Sequence, residues 1–209
     1  DDDNEFTLGY MGELFGYFLL GRTEHDMEST SFYFDGSYEL TDALTLTGGV
    51  RNTKDEQDLT TFAFGAEGKD SSSFSDTTYL LVLDYDISDS LMVYGSFNTG
   101  FKSGGFNGSW FGPTPEVQPE EIDSFELGAK YSGDSVSFEA AFFDYDWTNL
   151  QVAVLSNDAG GLTQENADAE MTGFEFSSTF RPTENLSMGL SGTWLDGEYT
   201  TYSASTHVP

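Results

Sequence analysis

Apolar and polar residues alternate along most of this chain, most cleanly on either side of four short polar turns. Phe32, Phe34, Gly36, Tyr38 and Leu40 fall on one side of an extended strand, with Ser31, Tyr33, Asp35, Ser37 and Glu39 on the other, because successive strand side chains point to opposite faces. Beyond the next turn, Leu44, Leu46, Gly48 and Val50 oppose Thr45, Thr47, Gly49 and Arg51. Tyr79, Leu81, Leu83 and Tyr85 likewise oppose Asp84 and Asp86, and Phe125, Leu127 and Tyr131 oppose Ser124, Glu126 and Lys130. The turns are Leu40-Thr41-Asp42-Ala43-Leu44, Ile87-Ser88-Asp89-Ser90-Leu91, Ser132-Gly133-Asp134-Ser135-Val136 and Pro182-Thr183-Glu184-Asn185-Leu186, their acidic residues 47, 45 and 50 positions apart. This is a row of long antiparallel hairpins.

The pattern predicts nine strands, over Glu5–Gly21, Thr30–Leu40, Leu44–Gln57, Asp76–Ile87, Leu91–Lys102, Ile122–Tyr131, Val136–Val154, Ala169–Arg181 and Leu186–Tyr199. Each reaches the roughly 9–11 residues that a tilted strand needs to cross a bilayer. A soluble sandwich shows the same alternation. Two features favour a membrane barrel. Tyr38, Tyr85 and Phe180 stand four residues before their turn acid and Tyr131 three, which sets aromatics at one height as an interfacial girdle requires. One end of the sheet has tight turns and the other long stretches near 23–29, 58–75, 103–121, 155–168 and from 200 onward, an asymmetry of bacterial barrels. The expected fold is all-β, an antiparallel up-and-down transmembrane β-barrel segment of about nine strands. Tyr38, Leu46, Leu83, Val93, Leu127, Phe138 and Phe176 are expected to face lipid, and Glu39, Thr47, Asp84, Glu126, Lys130 and Glu175 the lumen.

Composition narrows the picture. Aromatics at 16% and 23 Gly, with hydrophobic residues at 37%, suit strands apolar on one face only. The longest apolar stretch, Leu14 to Leu20, is broken by Gly16 and falls well short of the roughly 18 residues of a membrane helix. Seven basic against 37 acidic residues give a net charge of −30, which repels nucleic acid. This charge solvates loops, or serves a cation-binding role. Cysteine is absent, so disulfides, thiolate metal sites and Cys nucleophiles are excluded.

Candidate chemistry is sparse. His25 and His207 are the only histidines and lie far apart, so no Ser-His arrangement for nucleophilic catalysis is indicated and the chain is read as no enzyme. Asp1-Asp2-Asp3-Asn4, Asp144 with Asp146, and Asn157-Asp158 offer hard oxygen ligands, but none has the ordered ligands of an EF-hand; no metal site and no cofactor is assigned. Gly104-Gly105 lacks the spacing of a phosphate loop. In the 103–121 stretch, Phe106, Trp110 and Phe111 can stack on a planar ligand, and Lys102 at its root can hold an anionic one. These four residues are the candidate ligand-binding set.

Val93-Tyr94-Gly95-Ser96-Phe97-Asn98-Thr99-Gly100-Phe101-Lys102-Ser103-Gly104-Gly105-Phe106-Asn107 resembles a segment of TonB-dependent outer-membrane receptors, the iron-siderophore-receptor-like branch in particular. Pro119-Glu120-Glu121-Ile122-Asp123-Ser124-Phe125-Glu126-Leu127-Gly128-Ala129-Lys130 is similar to the family's "P-E-x-x-x-x-x-E-x-G-x-K" strand. The run from Ala141 through Tyr145 to Gln151-Val152 resembles another of its strands, and Asn166-Ala167 through Gly173-Phe174-Glu175 a third.

The resemblance implies a barrel of 22 strands filled by an N-terminal plug domain and driven by the TonB energy-transducing complex acting through the plug region. This sequence shows no plug and no energy-coupling box, and nine strands do not close a barrel of even strand number. Residues 1–209 are therefore expected to form part of a larger receptor barrel in the outer membrane of a Gram-negative bacterium. Its lipid and an imported small-molecule ligand, such as a ferric siderophore or another scarce nutrient, are the expected partners. The alternative is a passive porin-like or structural outer-membrane barrel without energy-coupled transport.

Overall fold

The computed structural model describes residues 4–8, 21–63, 66–107, 116–156 and 161–202. Its strands, in chain order, are β1 (Asn4–Leu8), β2 (Gly21–Thr41), β3 (Leu44–Ala63), β4 (Ala66–Ser88), β5 (Leu91–Lys102), β6 (Gly105–Phe106), β7 (Glu116–Val117), β8 (Glu120–Ser132), β9 (Val136–Ser156), β10 (Gly161–Thr183) and β11 (Leu186–Thr201). Nine of them form one sheet in the order β1-β2-β3-β4-β5-β8-β9-β10-β11, each antiparallel to its neighbour. β6 and β7 pair only with each other. No helix occurs among the described residues.

The up-and-down order follows from the turns. Asp42–Ala43, Asp89–Ser90 and Glu184–Asn185 each join two strands directly, and such short links can only connect antiparallel neighbours. Beside each of these three turns the register slips, between Glu39 and Thr41, Asp86 and Ser88, and Phe180 and Thr183.

Several strands exceed their predicted bounds at the end away from these turns. β2 begins at Gly21, so 23–29 is strand and not loop, and β3 and β4 continue through most of 58–75. β9 and β10 take up much of 155–168. These extensions are mostly polar, with only scattered apolar residues such as Met27, Leu59, Phe62 and Phe74, so no regular apolar alternation marks them; pairing with an already placed neighbour carries them forward. For the first predicted strand the structure shows Asn4–Leu8, and residues 9–20 lie outside the described residues.

Register fixes the two faces. One row of directly paired residues runs Tyr38, Leu46, Leu83, Gly95, Leu127, Phe142, Phe174 and Trp194. Another runs Glu39, Thr45, Asp84, Tyr94, Gly128, Ala141, Glu175 and Thr193. Paired residues share a face, so the seven residues expected to face lipid lie together on one side and the six expected in the lumen on the other. The apolar side is the open one: Tyr38 is 71% exposed, and Leu81, Leu83, Leu127, Phe142 and Trp194 are exposed as well. So large a bare apolar surface marks an interface with another apolar medium. No helix of the described residues is long and apolar enough to cross a membrane, which does not bear on crossing by strands.

The sheet is stepped. β5 and β8 end at the pair Lys102–Glu120, whereas β3 and β4 continue to Ala63–Ala66 and β9 and β10 to Ser156–Gly161. Two tall walls thus flank a low one, and the chain between β5 and β8 is the segment that contains β6 and β7.

Candidate functional site

The polar face carries a cluster where β5, β8 and β9 meet. Tyr94 reaches across to β8, its hydroxyl donating to Glu126 Oε1 at 2.5 Å. Lys130 places its ammonium 5.2 Å from the centroid of the same ring, within cation–π range. Gly128 makes the arrangement possible: a Cβ there would lie 2.3 Å from the Tyr94 ring. Tyr94, Lys130, Glu139, Ala141, Glu175 and Ser177 border a hollow of about 250 Å³. On β9, Phe143, Tyr145 and Trp147 form a ladder on this face, with ring centroids 4.9 and 5.6 Å apart.

Above this cluster, the segment around β6 and β7 straps the two tall walls together. On one side, Gln57 of β3 donates from Nε2 to Ser103 Oγ at 3.1 Å and to the Gly104 carbonyl at 2.8 Å. Its Oε1 lies 3.3 Å from His25 Nε2, and Ser72 of β4 donates to Glu116 at 2.5 Å. On the other side, Gln151 of β9 donates to the Ser103 carbonyl at 2.8 Å. Asn166 of β10 accepts from the Gln118 amide at 2.8 Å and donates to the Gln118 carbonyl at 3.0 Å. Asn107 does the same to the backbone of Gln164, at 2.7 and 2.8 Å. Each of these two Asn side chains satisfies both backbone groups of one residue, as a neighbouring strand would.

These bonds also show which way the sheet curls. Ser103 touches both β3 and β9, which are four places apart in the strand order. In a flat sheet that separation is about 19 Å. The sheet therefore curves with its polar face inward.

Local features aim these side chains. The register shift between Ala167 and Ala169 opposes Asn149, whose φ of 56° places a non-glycine residue in the left-handed region; such bulges re-aim neighbouring side chains. Asn149 is held there by Asp168, which accepts from its amide, and by Asn166, which donates to its carbonyl. Gly104 is buried where a Cβ would stand 2.4 Å from the Val117 carbonyl and 2.7 Å from the Phe74 ring. Only glycine lets the strap lie so close to the wall. Val117 is 2% exposed and Gln57 4%.

The candidate ligand-binding residues divide. Lys102 ends β5 with its side chain 57% exposed and 3.8 Å from Glu120 Oε2, so most of its charge faces solvent. Phe106 sits in β6, half-buried and edge-on to His25 at 6.5 Å. Trp110 and Phe111 lie outside the described residues. Asp144 and Asp146 share one face of β9, and among the described residues no three metal-ligating side chains gather closely enough to hold an ion. At the far end of β4, the hydrogen bond to Glu67 at 2.8 Å, with that carboxylate's charge, holds the Lys69 ammonium above its usual range. The residues missed from sequence are Gln57, Gln151 and Asn166. Two of them, Gln151 and Asn166, stand inside the family-like segments, which was the available signal.

The model of the "TonB dependent receptor-like, beta-barrel" family matches residues 2–208. The chain belongs to this family. Pesticin receptors of Yersinia enterocolitica and Yersinia pestis are 28% and 27% identical to it over 190 residues, 86% of this chain. The chain spans 28% of the length of these relatives. Among solved structures, the ferric yersiniabactin uptake receptor FyuA from Yersinia pestis superposes with a TM-score of 0.75 at 22% identity, over 94% of this chain and 30% of that one. The siderophore receptor PiuA from Acinetobacter baumannii gives 0.70 at 21%, over 92% and 28%. These likenesses show the fold. As a TonB-dependent receptor-like barrel of the Gram-negative outer membrane, the chain turns its apolar face to lipid and its polar face to the lumen, and the family is one of receptors and not of enzymes.

Proposed function

We propose that residues 1–209 are part of the barrel of an energy-coupled outer-membrane receptor that imports a metal chelate of the ferric-siderophore kind. The observation that carries the reading is the match to the receptor barrel family over residues 2–208, joined to a lumen whose mouth is built from polar and aromatic side chains. FyuA and PiuA, similar in fold, are by their names a ferric yersiniabactin uptake receptor and a siderophore receptor. Lys102 is the group best placed to meet an anionic chelate, being exposed at the root of the strap. Energy would come from the TonB complex acting on a plug region supplied by the longer receptor.

The test is uptake by cells expressing the complete receptor, with radiolabelled iron presented on a panel of siderophores. Saturable uptake of one chelate that stops when TonB is deleted is the expected result. Uptake that continues unchanged without TonB would instead identify a passive, porin-like barrel.

A further inference from the structure

The tight turns of β2–β5 and β8–β11 do not lie along one line of paired residues. From the row that runs Tyr38, Leu46, Leu83, Gly95, Leu127, Phe142, Phe174 and Trp194, the turn ends Thr41 and Leu44 are three and two residues away, Ser88 and Leu91 five and four, Ser132 and Val136 five and six, and Thr183 and Leu186 nine and eight. The turns thus retreat by about one residue per strand. With about 3.3 Å per residue and about 4.8 Å between strands, turns at one height require strands tilted by roughly 35°, within the range of membrane barrels.

The edge of the outward apolar face retreats with the turns. Broken only by Thr99 and Ser178, the outward apolar run beside the turns ends, on successive strands, at Phe32, Val50, Tyr79, Phe101, Phe125, Phe142, Phe174 and Trp194. Along the register this edge falls by six residues, from Phe32 to Phe142, Phe174 and Trp194, which stand in the row of Tyr38. Counted from each strand's own turn end, it stays six to ten residues away on all eight strands. Phe32, Tyr79, Phe101, Phe174 and Trp194 gather at eight to ten residues, whereas Tyr38, Tyr85, Tyr131 and Phe180 stand one to three residues from the turns. These are two aromatic girdles, the second visible only once the tilt is applied.

Beyond the second girdle the outward face turns acidic on β8, β9 and β11, where Asp123, Asp144 and Asp196 follow Phe125, Phe142 and Trp194 and are exposed. One row shows the contrast. Phe34, Val50 and Tyr79 are paired, the Tyr79 amide donates to the Thr99 hydroxyl at 2.9 Å, and the row continues through Thr99, Asp123, Asp146, Glu170 and Glu198. A hydrocarbon layer parallel to that row would hold apolar side chains and carboxylates at one depth, and carboxylates there are strongly disfavoured.

We infer that the bilayer seats on this wall as an oblique band that follows the turns and not the register, with its outer boundary at the girdle of Phe32, Tyr79, Phe101, Phe174 and Trp194. Nine residues at that tilt rise roughly 24 Å, against an apolar band of about 25 Å in such barrels. Val50 then lies within hydrocarbon, while Asp146 and Glu198 of the same row stand beyond the boundary. The low wall, closed by the pair Lys102–Glu120, ends near the membrane surface, and the tall walls rise roughly 25–35 Å past it. This goes beyond the transport reading, because neither a ligand nor an energy source enters it.

The experiment uses the complete receptor, freed of any native cysteine and placed in phospholipid vesicles; residues 1–209 contain none. A nitroxide is attached to single cysteines made by Leu83→Cys, Val50→Cys, Asp146→Cys and Glu198→Cys, all on the outward face. Collision with oxygen, which concentrates in hydrocarbon, and with a water-soluble nickel chelate reads each label's depth. The oxygen-to-nickel ratio is expected to be several-fold higher at Leu83 and Val50 than at Asp146 and Glu198. Equal ratios at Val50, Asp146 and Glu198 would overturn the inference, because depth would then follow the register, and so would a low ratio at Val50. Should a label at Val50 or Asp146 prevent folding, judged by migration in cold SDS, Leu46→Cys and Asp144→Cys replace them with the same expected order. Because no ligand is used, failure here leaves the receptor reading intact, and failure of uptake leaves this one intact.

Discussion

Tyr94 and Glu126 are joined across β5 and β8 by a 2.5 Å hydrogen bond on the lumen face, with the tyrosine ring lying over Gly128. Two substitutions separate the bond from the packing. Tyr94→Phe keeps the ring and loses a bond to a charged acceptor, and is expected to cost about 1–2 kcal/mol, toward the low end of the range for such bonds because the site is half-open. Gly128→Ala puts a methyl into the ring's place and is expected to cost more, about 2–3 kcal/mol. Urea unfolding of the receptor in lipid vesicles, followed by tryptophan fluorescence, measures both.

The two faces predict opposite tolerance. Arg at Leu83 or Leu127, both on the exposed apolar side, is expected to cost roughly 2–4 kcal/mol if near the bilayer midplane, whereas Arg at Thr47 on the lumen side is expected to cost little. Folding yield and unfolding free energy of the three variants give the comparison, and equal costs would mean that the apolar face does not meet lipid.

Asn166 holds both backbone groups of Gln118. Asn166→Asp keeps the acceptor and loses both donated bonds, so amide exchange at residues 116–118 is expected to rise about tenfold, the equivalent of about 1.4 kcal/mol, with global unfolding nearly unchanged. A matching loss of global stability would show that the strap is part of the barrel's cooperative unit.

Lys102 pairs with Glu120 at 3.8 Å on an open surface, where ion pairs contribute little. Lys102→Met is therefore expected to shift stability by less than about 0.5 kcal/mol. Affinity for an anionic chelate, measured by equilibrium binding to the complete receptor, is expected to fall about tenfold, as for loss of one charge-assisted hydrogen bond. Unchanged affinity would remove Lys102 from the site.

The sequence by itself determined the sheet. Alternation of period two assigned each side chain from Phe32 to Val50 to a face, and four short polar turns required antiparallel neighbours, because both are local properties of adjacent residues. The same local character explains why the extensions of β2, β3, β4, β9 and β10 were missed: their far ends are mostly polar and lack a regular alternation, and pairing with a neighbouring strand makes them extended. The family-like segments carried Gln151 and Asn166 without saying what they touch. Only the tertiary structure decided that Gln57, Ser103, Gln151 and Asn166 meet, since their partners are 46 to 48 residues away along the chain and come together only once the stepped sheet has curled. It also seated Phe106 in β6, edge-on to His25, and left the Asp55 Oδ1 buried with no hydrogen-bond partner among the described residues, because burial depends on what folds over a residue and not on its neighbours in sequence.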